Sequence, residues 1–167
     1  MACTSNLNGQ TFVNTCIPAP GATAESATYV VDLTHYTCGN RKICANGAYP
    51  VTGDLKYKAV GTPQAVGNGT YVMDVLITGT CNYMPYRNGQ NQCGCGCNCP
   101  VTDNVWATVS VPVASEAVPT LTAGEVLASP TNMKDCCPIT NAVSLVGSFN
   151  VSSAAAAQPA VSGGAKK

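Results

Sequence analysis

Charge is scarce in this chain. Asp, Glu, Lys and Arg make up 10% of its 167 residues, against roughly 25% in an ordinary soluble domain. Eight basic and eight acidic residues cancel to a formal net charge of zero. No basic face is available for nucleic acid or anionic lipid, so neither is expected as a partner. Such a surface also gives weak protection against self-association, a liability in a monomeric enzyme and the expected condition of an assembling subunit. No apolar run approaches the about 18 residues of a membrane span. The opening Met1-Ala2-Cys3-Thr4-Ser5-Asn6 has no basic start and no apolar stretch, so no signal peptide is visible.

Catalytic signatures are missing too. The sequence holds no GxGxxG, P-loop, GxSxG or HExxH pattern. Its carboxylates are scattered, with no pair spaced for acid–base work. His35 is the single histidine. A Cys–His nucleophilic pair is formally available, but no third group is evident to orient the imidazole, and an ordinary sheet residue is expected. No enzymatic activity, cofactor or small-molecule substrate is expected.

Cysteine, in contrast, is abundant, with eleven residues at positions 3, 16, 38, 44, 81, 93, 95, 97, 99, 136 and 137. The odd number leaves at least one thiol free or joined to another molecule. Usage this dense belongs to an oxidising setting. An extracellular or particle-associated location is therefore expected: a filament, a spore surface or a virion.

The stretch around which the chain is organised is Cys93-Gly94-Cys95-Gly96-Cys97-Asn98-Cys99-Pro100. In an extended run, cysteines at every second position share one face. Neighbours are then roughly 6.5–7 Å apart, at about 3.3 Å of rise per residue. Bridged Cα atoms usually lie about 4.4–6.8 Å apart, so the thiols are offered to other segments or other chains. If the glycines let the run curl, it becomes a thiolate cage for Zn, Cu or Fe, with Cys136 and Cys137 as further ligands. Structural zinc sites favour C-x₂₋₄-C knuckles, and no C-x₂-C pair occurs here. Cross-linking within and between subunits is the preferred reading, and no metal is expected.

The remaining cysteines fit that reading. The adjacent pair Cys136-Cys137 strains any mutual bond, so two separate partners are expected. Cys38 and Cys44 flank a turn, and their separation lets them close a hairpin-like loop. Cys3 and Cys16 lie in an N-terminal segment that reaches a neighbouring subunit by strand addition, or is pinned by Cys16 to its own domain. Cys81 ends a strand.

The strand pattern predicts one all-β domain. Residues 1–26 read as an arm, 27–152 as an antiparallel β-sandwich or jelly-roll-like domain with a cysteine-rich loop at 93–100, and 153–167 as an Ala/Gly/Ser-rich flexible tail. Strands are predicted from Thr28 to Cys38, from Leu55 to Val60 with Gly61-Thr62-Pro63 ending it, and from Thr70 to Cys81. The third is apolar in both alternating sets, which predicts a central strand or one covered on both sides. In the clearest alternation Val105, Ala107, Val109, Val111 and Val113 face one way, with Pro112 marking a sheet edge or a bulge. One helical turn is predicted near Gly124-Glu125-Val126-Leu127, and a last strand carries Val143, Leu145, Gly147, Phe149 and Val151. Thr28-Tyr29-Val30-Val31-Asp32 echoes Thr70-Tyr71-Val72-Met73-Asp74, a short two-sheet pseudo-repeat.

No family motif is present. In general character (β-rich, low in charge, with an N-terminal cysteine arm) the chain resembles the cysteine-rich, jelly-roll appendage subunits of bacterial spores. Their arm carries adjacent cysteines near its start, whereas the adjacent pair here is Cys136-Cys137. The function expected is a non-enzymatic structural subunit that self-assembles into a filament, coat or shell through strand edges and terminal arms, locked by disulfides. The alternatives are a thiolate metal-binding module and a viral capsid decoration or fibre protein.

Overall fold

A computed structural model describes residues 8–23, 25–44, 50–85, 100–131 and 139–153. It is all-β, with no α-helix among the described residues. The strands are β1 (Thr11–Pro18), β2 (Ser26–Tyr36), β3 (Ile43–Cys44), β4 (Thr52–Gly67), β5 (Thr70–Tyr83), β6 (Val101–Val113), β7 (Thr120–Pro130), β8 (Ile139–Thr140) and β9 (Ala142–Ser152). One antiparallel sheet runs β1-β2-β9-β7, a second runs β4-β5-β6, and β3 pairs with β8 in a two-stranded ribbon.

Period-2 alternation explains which faces meet. On β2, Ala27, Tyr29, Val31, Leu33 and His35 are buried while the intervening residues are not. On β9, Val143, Leu145, Phe149 and Val151 point the same way, and on β6 so do Asp103, Val105, Ala107, Val109, Val111 and Val113. Together with Met73, Val75 and Ile77 of β5 they form one core shared by the two sheets. At its centre the rings of Tyr29 and Tyr57 each stack on Phe149, with centroids 5.6 Å and 4.5 Å away. Gly147 makes room for this. A Cβ there would come within 2.5 Å of the Tyr57 hydroxyl and 2.8 Å of Leu55 Cδ1.

Some expectations need correction. The segment around Gly124 is strand β7, not a helical turn. Its register against β9 shifts between Ala123 and Val126, so the Gly-Glu pair is a bulge. Gly61-Thr62-Pro63 does not end β4. The strand continues to Gly67, with a register shift between Val60 and Gln64. β5 is central, between β4 and β6, but only its Met73-Val75-Ile77-Cys81-Tyr83 face is buried. β6 is an edge, as Pro112 requires. The two halves of the pseudo-repeat lie in different sheets. Asp32 and Asp74 sit off the core face, accepting from Asn14 Nδ2 (3.4 Å) and Ser110 Oγ (2.5 Å). Of the expected arm, residues 11–18 form β1 and pair with β2 of the same chain.

Candidate functional site

Topology gathers the chemistry at one end of the sheets. β1 begins there, with Thr11 opposite His35. β2 ends there, with Tyr36 opposite Ala142 of β9. β5 ends there, with Tyr83 opposite Val101 of β6, and β4 begins there, with Thr52 opposite Asn82. A short 3₁₀ turn, Cys38–Asn40, follows β2. Three of the four described cysteines lie at this end: Cys38 in the 3₁₀ turn, Cys44 in β3 and Cys81 near the end of β5. The chain carrying Cys93, Cys95, Cys97 and Cys99 leaves at Pro85 and returns at Pro100, beside Tyr83 and Val101. β8 starts two residues after Cys137, with Ile139 in register with Cys44. Among the described cysteines only Cys16, opposite Val31 in the middle of β1, lies elsewhere.

A buried polar network joins the two sheets at this end. His35 is fully buried and Asp103 nearly so. Asp103 Oδ2 is the shared acceptor, 3.2 Å from His35 Nε2, 3.0 Å from the Tyr83 hydroxyl and 2.9 Å from the Cys38 N–H. His35 Nδ1 lies 2.9 Å from Thr11 Oγ1. In the neutral imidazole this places the proton on Nε2, since a carboxylate only accepts, and leaves Nδ1 to accept from the threonine hydroxyl. Burial, and then the Asp103 carboxylate, push the Tyr83 phenol above its ordinary range, against an opposing pull from Arg41.

His35 therefore has the orienting partner that the sequence did not reveal. Both of its ring nitrogens are engaged, by Asp103 and Thr11, so neither is turned toward a cysteine. The network braces strands from both sheets. Sequence parity held a signal for it: Asp103 shares the inward face of Val105 and Val109, and His35 shares that of Val31 and Leu33. A carboxylate and an imidazole on apolar faces need partners.

Four cysteines fall among the described residues. Cys44 is buried in β3 and disulfide-bonded. Cys16, Cys38 and Cys81 are free in the single chain, which corrects the expected Cys38–Cys44 loop closure. Cys38 is held through its N–H on the Asp103 side, while Cys44 is fixed in β3 against β8. Cys16 is half-buried and its thiol pKa is raised by burial. Cys81 is fully buried, and burial, followed by Asp103 and Cys38, pushes its pKa up to about 12. Cys3, Cys93, Cys95, Cys97, Cys99, Cys136 and Cys137 lie outside the described residues. No group of three or more His, Cys, Asp or Glu among the described residues is arranged to hold a metal.

The opposite end is built differently. An open apolar cavity of about 420 Å³ lies between Pro18, Ala27, Tyr29, Val113 and Val151, next to the β4–β5 turn. No helix among the described residues is long and apolar enough to cross a membrane. Comparison with protein-family models, curated proteins and solved structures finds no match.

Proposed function

We propose that this chain is a non-enzymatic structural subunit, a β-sandwich that assembles with copies of itself into a filament, coat or shell outside the cell or on a particle. The observation that carries the reading is a chain of eleven cysteines and zero formal net charge in which Cys38, Cys44 and Cys81 lie together at one end of the sheets. Thiols concentrated at one pole cross-link neighbours only at defined contacts. A disulfide between chains then makes a concentration-dependent contact permanent.

Strand addition at β1, an end strand that also touches β6 of the second sheet, supplies the non-covalent part of the contact. β1 is an end strand of its sheet, and Phe12, Val13 and Ile17 on it are exposed. An uncovered strand edge with apolar side chains is a template for another chain. Trp106, 65% exposed on the edge strand β6, adds apolar surface on the second sheet. β7, the other edge of the first sheet, packs alongside β4.

The test is a non-reducing gel of the purified chain, paired with electron microscopy before and after reductant. The expected result is a ladder of covalent oligomers and ordered assemblies that lose their cross-links on reduction. A monomer band without reductant, and no assemblies, would overturn the reading.

A further inference from the structure

We propose that Cys38 and Cys81 are a dithiol pair that closes to a disulfide between the two sheets, with Cys38 as the attacking thiol and Cys81 as the resolving one. Nothing in this pairing requires assembly, so it stands or falls separately from the structural-subunit reading.

Both cysteines flank one carboxylate. Cys81 is directly opposite Asp103 in the β5–β6 register. Residues so opposed carry Cβ atoms about 4.5–5.5 Å apart. From the other side, the Cys38 N–H donates to Asp103 Oδ2 at 2.9 Å. The two thiols are near enough that Cys38 acts electrostatically on Cys81. Cys38 is also able to adjust. It opens a 3₁₀ turn in which Gly39 has φ 73°, and its sulfur lies beside Gly9, where a Cβ would stand only 3.2 Å away.

Exposure sets the order of events. Cys38 is exposed and Cys81 is fully buried. A small-molecule disulfide such as oxidised glutathione therefore meets Cys38 first. The Cys38 sulfur attacks one glutathione sulfur, that S–S bond breaks, and the first glutathione leaves carrying the Cys38 proton. Cys81 then attacks Cys38 Sγ. The mixed disulfide breaks, and the second glutathione leaves with the Cys81 proton. Two protein thiols are oxidised to one S–S bond, and one oxidised glutathione is reduced to two thiols. The product ties the turn after β2 to β5, beside the His35–Asp103 contact that already spans the sheets.

Peptide mass spectrometry on the full-length chain, alkylated before and after treatment with oxidised glutathione, tests this. The expected result is a Cys38–Cys81 linked peptide that appears on oxidation and vanishes with reductant, with loss of alkylation at both positions. The variant Cys81→Ser should stop at one glutathione on Cys38. In Cys38→Ser, position 81 should gain none. Recovery of Cys38 linked to any other cysteine would overturn the pairing, as would continued alkylation of both thiols after oxidation. Glutathione on Cys81 in Cys38→Ser would overturn the order of attack.

Discussion

At one end of the two sheets an imidazole, a phenol and a backbone amide converge on a single carboxylate oxygen, Asp103 Oδ2. At the other end Tyr29, Val113 and Val151 border an open apolar cavity. The same seven long strands supply both ends, and the difference lies in what the connections carry. The connections 86–99 and 132–138, whose flanking residues lie at the first end, contain six cysteines. The second end is closed by Pro18 to Glu25, by the tight Asn68-Gly69 turn and by Ala114 to Pro119, none of which contains a cysteine. The shared polar acceptor is thus found at the first end, and hydrophobic packing holds the rest of the described core.

The sharpest way to break this contrast is to remove the shared acceptor. Asp103→Ala leaves His35 Nε2 and the Cys38 N–H without their acceptor and takes one partner from the Tyr83 hydroxyl. The expected loss is about 3–5 kcal/mol of stability in denaturant unfolding, since removing one partner of a buried charged network strands the others. Asp103→Asn keeps an acceptor oxygen and should cost less. At the opposite end Val151→Ala removes two buried methyl groups beside the cavity. A loss of about 1–2 kcal/mol is expected, because an already open site leaves little new void. Equal losses at the two ends would remove the contrast.

Tyr57 probes the middle. Its hydroxyl is buried without a hydrogen-bond partner among the described residues, and burial pushes its pKa up to about 12. Tyr57→Phe should leave the ring stack with Phe149 intact and raise stability by about 1 kcal/mol or less, because a stranded polar group is removed. A clear loss of stability would show that the hydroxyl has a partner, such as a bound water.

The smallest effect is on pH dependence. The Cys81 thiol is raised from 9.0 to about 12 in the folded chain. The folded state therefore keeps its proton where the unfolded chain has lost it. This contribution to stability is complete below pH 9 and is lost as pH rises toward about 12. Tyr57 acts in the same direction between 10.0 and about 12. Alkaline unfolding titrations of the reduced protein should show this slope, and Cys81→Ala should flatten its lower part. An unchanged slope in that variant would mean that Cys81 is not protonated by burial.

Where apolar residues alternate without interruption, the fold is legible in the amino-acid sequence. β2, β6 and β9 each carry a buried set at every second position, and their faces follow directly from it. β7 is not legible, for the same physical reason. As an edge strand with mostly exposed residues and a bulge at Gly124-Glu125, it has no apolar alternation to read. The full length of β4 is hidden because Gly61-Thr62-Pro63 resembles a strand end, yet a bulge lets the strand pass through it. The His35–Asp103 contact joins residues 68 positions apart on different sheets. No local spacing encodes it; only the inward parity of Asp103 hints at it. The cysteine spacing is visible in the sequence, but the polarity of the molecule is not, because it depends on which strand ends the topology brings together.

The central claim is that cross-links between copies of this chain form at the cysteine-rich end alone. Mapping intermolecular disulfides by non-reducing peptide mass spectrometry on assembled material tests it most directly. Every such bond should join cysteines other than Cys16. Inter-chain bonds through Cys16, or a solitary soluble molecule whose bridges are all internal, would contradict it.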